Sequence, residues 1–380
     1  MYDFSHLPVI DNHTHPYLFE TDPERYSPLD SFLGVHGEGS RSPGALAHRD
    51  AMLYQRWATR ELAGFLGCEP TPKAVAAARH AVADEAAFVT RLFADGGVEA
   101  LLVDTGYPQP PVDMAVFRAR VPTTILTVYR IEPPIKALLD ARVGYDEFVR
   151  RYDAGIVAAI TEQGFVAVKS IIAYRTGLEI DPDNEAEAAG RRGLEQALAD
   201  PERMKASKTL RDHLLLRALR LCHELDVTFH VHTGIGDADI VLARCNPALL
   251  NETLKRPGHR ETKVVLIHTY PYMAEASWMA AALPNVWIDL SEGVPFALAA
   301  TDRIFQTALE LAPVNRVLFG TDACSGPEQT WLGAKLAKQS LARVLATLRE
   351  CGYVTDAEAE GTAAAILAGN ARDLYARFGL

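Results

Sequence analysis

The chain is poor in the features that mark special environments. Its five cysteines, Cys68, Cys222, Cys245, Cys324 and Cys351, are scattered and never stand in C-x-x-C spacing. That spacing disfavours a cysteine-based zinc site and fits the reduced thiols of a cytosolic protein. No apolar run approaches the roughly 20 residues that span a bilayer. The opening "MYDFSHLPVI" lacks the basic-then-apolar order of a secretory signal, so a cytoplasmic location is expected and a membrane partner is not. With 38 Lys and Arg against 49 Asp and Glu, the formal charge is −11, and there is no basic stripe of the kind nucleic acid requires. Internal repeats and low-complexity segments are absent as well.

What is present is ordinary globular material, 48% hydrophobic and 23% charged, in a length that suits an α/β barrel with insertions. Short β-branched runs predict strands at "LPVIDNHTH" (7–15), "VEALLVDTG" (98–106), "TTILTVYRIE" (123–132), "FVAVKSII" (165–172), "VTFHVHTG" (227–234), "KVVLIHTY" (263–270), "NVWIDLSE" (285–292) and "RVLFGTDA" (316–323). Helical patterns lie between them, over 144–163, 207–225 and 297–311; in the second, Leu210, Leu214, Leu215, Ala218, Leu221 and Cys222 share one side. Alternating strands and helices imply parallel units with right-handed crossovers. Eight such units predict a (β/α)8 TIM barrel occupying residues 1–380 as one domain. A doubly wound open sheet is the alternative, with its site at one switch point. Residues 16–90 exceed the repeat and read as a helical cap inserted after the first strand, with a helix over 45–67, and residues 331–380 read as C-terminal helices.

The stretch "VIDNHTHPY" ends the first predicted strand with two histidines one residue apart. On a strand, His13 and His15 share a face and stand about 7 Å apart along the chain. An isolated H-x-H pair says little and needs partners. In a β/α barrel the partners would come from the C-terminal ends of other strands. Those ends carry Asp104, Arg130 with Glu132, Lys169, His232, His268, Asp289 with Glu292, and Asp322. So many ionisable groups in one ring have no structural use, because buried charges without partners are costly. Three histidines and a carboxylate form a ligand set for zinc or a similar divalent ion.

The order H-x-H, histidines on strands five and six, and "GTDA" on strand eight resembles the amidohydrolase superfamily, in its amidohydrolase-2 branch of small-molecule hydrolases and decarboxylases. Within that branch, "VYRIE", "VKSIIAYRTGL" and "HVHTG" most resemble the amidohydrolase-like domain that precedes a glutamine synthetase domain in some fungal and plant proteins. These 380 residues contain no glutamine synthetase portion. The resemblance implies that His13, His15, His232 and Asp322 bind the principal metal, with Zn2+ expected and Mn2+ or Fe2+ as alternatives. It implies that His268 either ligates a second metal or polarises the substrate. Lys169 is either carboxylated and bridges two metals or remains an ammonium that holds an anion. His230, one pleat below His232, reads as a hydrogen-bonded core histidine.

Arg130, Arg175, Tyr174 and Glu132 are the candidate substrate contacts. The arginine forks suit a carboxylate, and Glu132 suits either a substrate amine or a salt bridge to Arg130. Cys324 reads as a pocket-lining or packed thiol, and Tyr54, Arg56 and Trp57 as a closing or packed face. The expected function is a metal-dependent hydrolase of an amide or related acyl bond in a small anionic molecule, with Asp322 moving the proton. A non-oxidative decarboxylase is the rival, and a metal-stabilised binding protein without turnover a third reading. Self-association is left open.

Overall fold

The computed structural model describes residues 2–24, 26, 50–200 and 207–380. Eight strands form one sheet in which neighbours are parallel and spatial order follows chain order. They are β1 (Val9–Thr14), β2 (Val98–Asp104), β3 (Thr124–Arg130), β4 (Phe165–Ser170), β5 (Thr228–His232), β6 (Val264–Ile267), β7 (Val286–Asp289) and β8 (Val317–Leu318). The residues after β8 return to β1 and close the ring. Asn12 N–H donates to the Phe319 carbonyl (2.9 Å), His15 N–H to that of Ala323 (2.8 Å) and Asp322 N–H to that of His13 (2.8 Å). This is the (β/α)8 barrel expected from the sequence.

The strands are apolar runs because both faces are covered, as in "VVLI" of β6, where every residue is buried. Helices of six residues or more are α1 (Leu53–Leu66), α2 (Pro72–His80), α3 (Glu85–Gly96), α4 (Met114–Arg120), α5 (Glu132–Asp140), α6 (Tyr145–Thr161), α7 (Glu187–Ala199), α8 (Lys208–Glu224), α9 (Met273–Ala282), α10 (Thr301–Leu311), α11 (Pro327–Glu350), α12 (Asp356–Ala364) and α13 (Asn370–Tyr375). The predicted stripe on α8 is observed, with Leu210, Leu214, Leu215, Ala218 and Cys222 buried. Among the described residues no helix is long and apolar enough to cross a membrane.

The insertion between β1 and β2 is helical where it is described, in α1 to α3; residues 27–49 of the expected cap, and 45–49 of its expected helix, lie outside the described residues. Asp84 caps α3 by accepting from the Ala87 N–H, and left-handed Gly97 (φ 71°) ends it and feeds straight into β2. A side chain at Gly97 would lie 2.8 Å from both the Leu7 carbonyl and the Lys338 ammonium. The insertion is pinned by Arg79 of α2, which is fully buried and ion-paired to Glu328 of α11 and Glu85 of α3.

The apolar interior has two parts. The larger lies between strands and helices; the smaller fills the barrel end opposite the site with Ile10, Leu102, Val128, Val265, Ile267, Trp287 and Leu318. Ala368, Ala371 and Tyr375 of the C-terminal tail belong to this second cluster and plug that end.

Several strands end earlier than expected; β6 stops at Ile267 and β7 at Asp289, and two further ends bear on the site. The β3 run stops at Arg130, and Glu132 opens α5 instead of ending a strand. Past Leu318 the "FGTDA" segment leaves the β7 ladder. Tyr54 packs against Trp57 and Phe296 and is buried.

Candidate active site

A pocket of about 200 Å³ opens at the C-terminal ends of the strands. The structure brings His13, His15, Arg130, Lys169, Tyr174, Arg175, His232, His268 and Asp322 to its wall, together with Tyr107, Ile171, Asp237, Asp239, Glu292 and Cys324. Glu132 is the one predicted site residue outside this wall. Its carboxylate turns beneath the pocket, accepting from Ser170 Oγ and the Ile171 N–H at 2.8 Å each, because the chain has already entered α5. Through Oε1 it braces the end of β4.

Two groups of ligand-type side chains face each other. The first is His13, His15 and Asp322, where Asp322 Oδ1 lies 3.1 Å from His13 Nε2 and 3.2 Å from His15 Nε2. Asp322 Oδ1 nevertheless has no hydrogen-bond partner. His15 Nδ1 lies 3.0 Å from the Asp104 carbonyl, which can only accept, so Nδ1 carries the hydrogen and Nε2 offers its lone pair to the pocket. The β1–β2 ladder slips register between Asp11 and Thr14, where the chain turns the two rings together at the barrel mouth. Their centroids are 5.2 Å apart.

The second group is His232, His268 and Glu292. The Ser291 hydroxyl donates to Asp289 Oδ1, so its oxygen can only accept from His268 Nδ1, 2.9 Å away. His268 Nε2 is thereby left with a lone pair. His232 is held through the backbone of Ile235, and its Nε2 has no hydrogen-bond partner; nor has Glu292 Oε2, which lies 3.6 Å from His268 Nδ1. The two groups adjoin, with 4.4 Å between the His232 and His268 centroids and 5.2 Å between those of His13 and His268.

Burial and neighbouring groups hold His13, His232 and His268 well below the usual imidazole range. Their rings are neutral at pH 7, the form that ligates. Burial, and Asp322 after it, pushes Glu292 well above the ordinary carboxylate range. Convergent lone pairs, orphaned carboxylate oxygens and neutral imidazoles fit a divalent cation, because a cation is the partner that such atoms lack. Backbone strain marks the same place. His268 (φ 75°), Thr269 (60°), Glu292 (60°) and Asp322 (61°) all adopt the left-handed region without being glycine.

Lys169 lies between the groups and donates to His13 Nε2 at 3.3 Å. Burial, with Arg130 adding to it, lowers its pKa to about 8 against the pull of Asp104. Arg130 is committed to Asp104, with Nε 2.9 Å and Nη2 2.5 Å from Oδ2. That pairing outweighs burial and lowers the Asp104 carboxyl to about 2. A side chain at Gly106 would collide with Arg130, 2.5 Å from its Cβ, so the glycine clears the space the arginine occupies. Arg175 differs: it lines the pocket, half-buried, with no ion-pair partner among the described residues. Tyr174 Oη accepts from the Asp237 N–H at 2.9 Å, and its ring packs 4.6 Å from that of His232.

Sequence reasoning treated Glu292 only as a group at a strand end and overlooked Tyr107, Asp237 and Asp239. The signal for Glu292 was its place three residues past Asp289, at the end of the seventh apolar run. The others sit on loops, which no periodicity orients. Cys324 does line the pocket. His230 is a core histidine, bonded to Tyr375 Oη at 2.7 Å and Thr228 Oγ1 at 3.2 Å.

A barrel with such a ligand ring at its strand ends is the architecture of a metal-dependent enzyme. The sequence-family model described as Amidohydrolase (Amidohydro_2) matches residues 107–377, and the chain belongs to that family. Protein FluG of Emericella nidulans is 35% identical over 243 residues, 61% of this chain and 28% of FluG; the match thus spans less than a third of that relative's length. A crystal structure from Lactobacillus casei, provisionally named a metal-dependent hydrolase, superposes with a TM-score of 0.85 at 27% identity, covering 99% of this chain and 98% of its own. Uronate isomerase from Thermotoga maritima shares the fold, with a TM-score of 0.65 at 14% identity over 98% of this chain and 95% of its own.

Proposed function

We propose that the protein is a metal-dependent hydrolase that cleaves an amide or related acyl bond in a small carboxylate-bearing molecule. The observation that carries this reading is the approach of His13 Nε2 and His15 Nε2 to within 3.2 Å of Asp322 Oδ1 without a hydrogen bond to it. His13, His15 and Asp322 would hold the principal ion, with His232, which the sequence assigned to that ion, grouped instead with His268 and Glu292 at an adjacent position. Zn2+ is the metal we expect, from the nitrogen and carboxylate donors. When bound, such an ion supplies Lewis acidity that lets water ionise near neutral pH.

The chain's own groups account for the rest. Asp322, on the pocket wall, takes the proton from water and returns it to the leaving group. Arg175 has its fork free for a substrate carboxylate, while Arg130 is largely neutralised by Asp104 and orients more than it attracts. Tyr174 flanks the position between Arg175 and His232, and Lys169 provides a cation deep in the pocket where oxyanion charge would develop. A resident carboxylation of Lys169 would instead turn it into a ligand. The family assignment supports an enzyme; a small anionic substrate and a cytoplasmic location are part of this proposal.

The test is metal content by elemental analysis, followed by assays of zinc-reconstituted protein on a panel of N-acylated amino acids and related amides. Hydrolysis that disappears on chelation and returns with zinc is expected, as is its loss in Asp322→Asn. Release of carbon dioxide without consumption of water would assign the site to a decarboxylase, and absence of metal with absence of turnover would overturn the hydrolase.

A further inference from the structure

The plugged end of the barrel and the ligand ring are joined by a hydrogen-bond chain, whose polarity follows once Asp289 is an ionised carboxylate. Asp289 Oδ2 can only accept, so Asn12 presents Nδ2 to it, at 2.7 Å. Asn12 Oδ1 must then face the other way, where Tyr375 Oη donates to it at 3.2 Å. With its one hydrogen so used, Tyr375 accepts from His230 Nε2 at 2.7 Å. On the far side Asp289 Oδ1 accepts from the Ser291 N–H at 2.9 Å and from the Ser291 hydroxyl, which leaves Ser291 Oγ to receive His268 Nδ1–H. Every member is buried: Asn12, Asp289, Ser291, His230 and Tyr375 are wholly covered and His268 is 1% exposed. Gly320 leaves the room this requires, since a Cβ there would lie 2.5 Å from Asp289 Oδ2 and 3.0 Å from the Ser291 Cβ.

We propose that Tyr375, carried by the C-terminal tail at the barrel end opposite the pocket, is a positioning residue for His268, acting through Asn12, Asp289 and Ser291 to hold the imidazole with its hydrogen on Nδ1 and its lone pair in the pocket. Tyr375 touches no substrate or metal. Its hydroxyl orients the Asn12 amide, the amide anchors one oxygen of Asp289, and the carboxylate thereby keeps its other oxygen on the Ser291 hydroxyl. A buried chain of this kind polarises along its length, so removing a terminal donor is felt at the other end. Groups that orient a ligating histidine typically change metal affinity by 10–100-fold when removed. In an ordinary β/α barrel this end carries stability alone; here the tail is also part of the site's support.

The experiment compares wild type, Tyr375→Phe, Ser291→Ala, the double variant, and Ala371→Gly. The last loosens the same plug without touching the chain. The first readout needs no metal: the low-field Nδ1–H proton resonance of His268 in metal-free protein with labelled histidine. It is expected to shift in Tyr375→Phe and to stay in place in Ala371→Gly, even though both variants melt lower. An unchanged resonance in Tyr375→Phe reduces the tyrosine to packing and overturns the proposal. The second readout is zinc affinity, and this arm alone rests on the metal-site reading above. A loss of about tenfold is expected in Tyr375→Phe, with a larger loss in Ser291→Ala and the double variant no worse than Ser291→Ala. Losses that simply multiply overturn the shared chain. If wild type takes up no zinc, the hydrolase reading fails, while the resonance still decides the positioning role.

Discussion

Arg175 is the residue whose freedom has the plainest consequence. The other pocket arginine is tied to Asp104, so Arg175 is the guanidinium available to a substrate carboxylate. Hydrogen bonds to charged groups contribute about 1.5–3 kcal/mol. Arg175→Ala should therefore raise KM roughly 10–100-fold and leave kcat within a few-fold; steady-state kinetics that show KM unchanged would remove it from the site. Gly236 matters for a different reason. A methyl there would sit 2.7 Å from Tyr174 Cζ and 3.1 Å from His232 Nε2. Gly236→Ala should keep the fold and weaken zinc binding by at least tenfold, on the scale seen when a ligating histidine is misplaced, as read by isothermal titration. At this scale most of the side chains that line the pocket were legible in the sequence, because an ionisable residue just past an apolar run is conspicuous and the barrel rule says where it points. It failed where direction depends on a loop or on an unforeseen helix. Glu132 looked like the last residue of a strand, and the chain had already begun α5. Asp237 and Asp239 follow "HTGIG", a turn whose course no pattern of spacing gives.

Elements show the same division. All eight strands were legible as short buried runs, and α6, α8 and the helices after Trp331 as longer periodic ones. What could not be read is which end of the barrel the tail would reach, since amphipathic spacing fixes a face but not its partner. The attachment of α2 is also a matter of tertiary pairing. Arg79 is buried beside Glu328 and Glu85, so removing its charge strands two carboxylates. Arg79→Met is expected to cost about 3–5 kcal/mol in urea unfolding, and adding Glu328→Leu to recover part of that loss. A further loss in the double variant would contradict the ion-pair account. His213 on α8 makes a pH-dependent link of the same kind. Its Nδ1 donates to the Asn184 carbonyl and its Nε2 accepts from Tyr145 Oη on α6, each at 2.9 Å. Burial lowers its pKa below that of the unfolded chain, so its contribution is present above about pH 6.5 and is lost as pH falls through the folded value. The stability difference between wild type and His213→Gln should shrink from pH 7.5 to pH 5; a difference independent of pH would mean the imidazole is not kept neutral by the fold.

For the whole molecule, the two ends of the barrel are finished by different means. The pocket end carries the charged ring. The other end is closed by the tail, where Ala368, Ala371 and Tyr375 cover Ile10, Val128, Val265 and Trp287. Removing residues 370–380 would bare this apolar floor to water, and the shortened protein is expected in the insoluble fraction on expression; a soluble, cooperatively melting product would show that the plug is dispensable. The closure of the ring also sets an order of events during synthesis. His13 and His15 leave the ribosome before Asp322, and the backbone of Phe319 and Ala323 that seals β1 follows more than 300 residues later. At translation rates of about 5–20 residues per second, the first two ligands wait roughly 15–60 s for the third. During that interval the nascent chain has an unpaired β1 edge and an incomplete candidate metal cluster. The three-residue cluster therefore belongs to the finished barrel, and the β1 edge stays open until the last strand arrives.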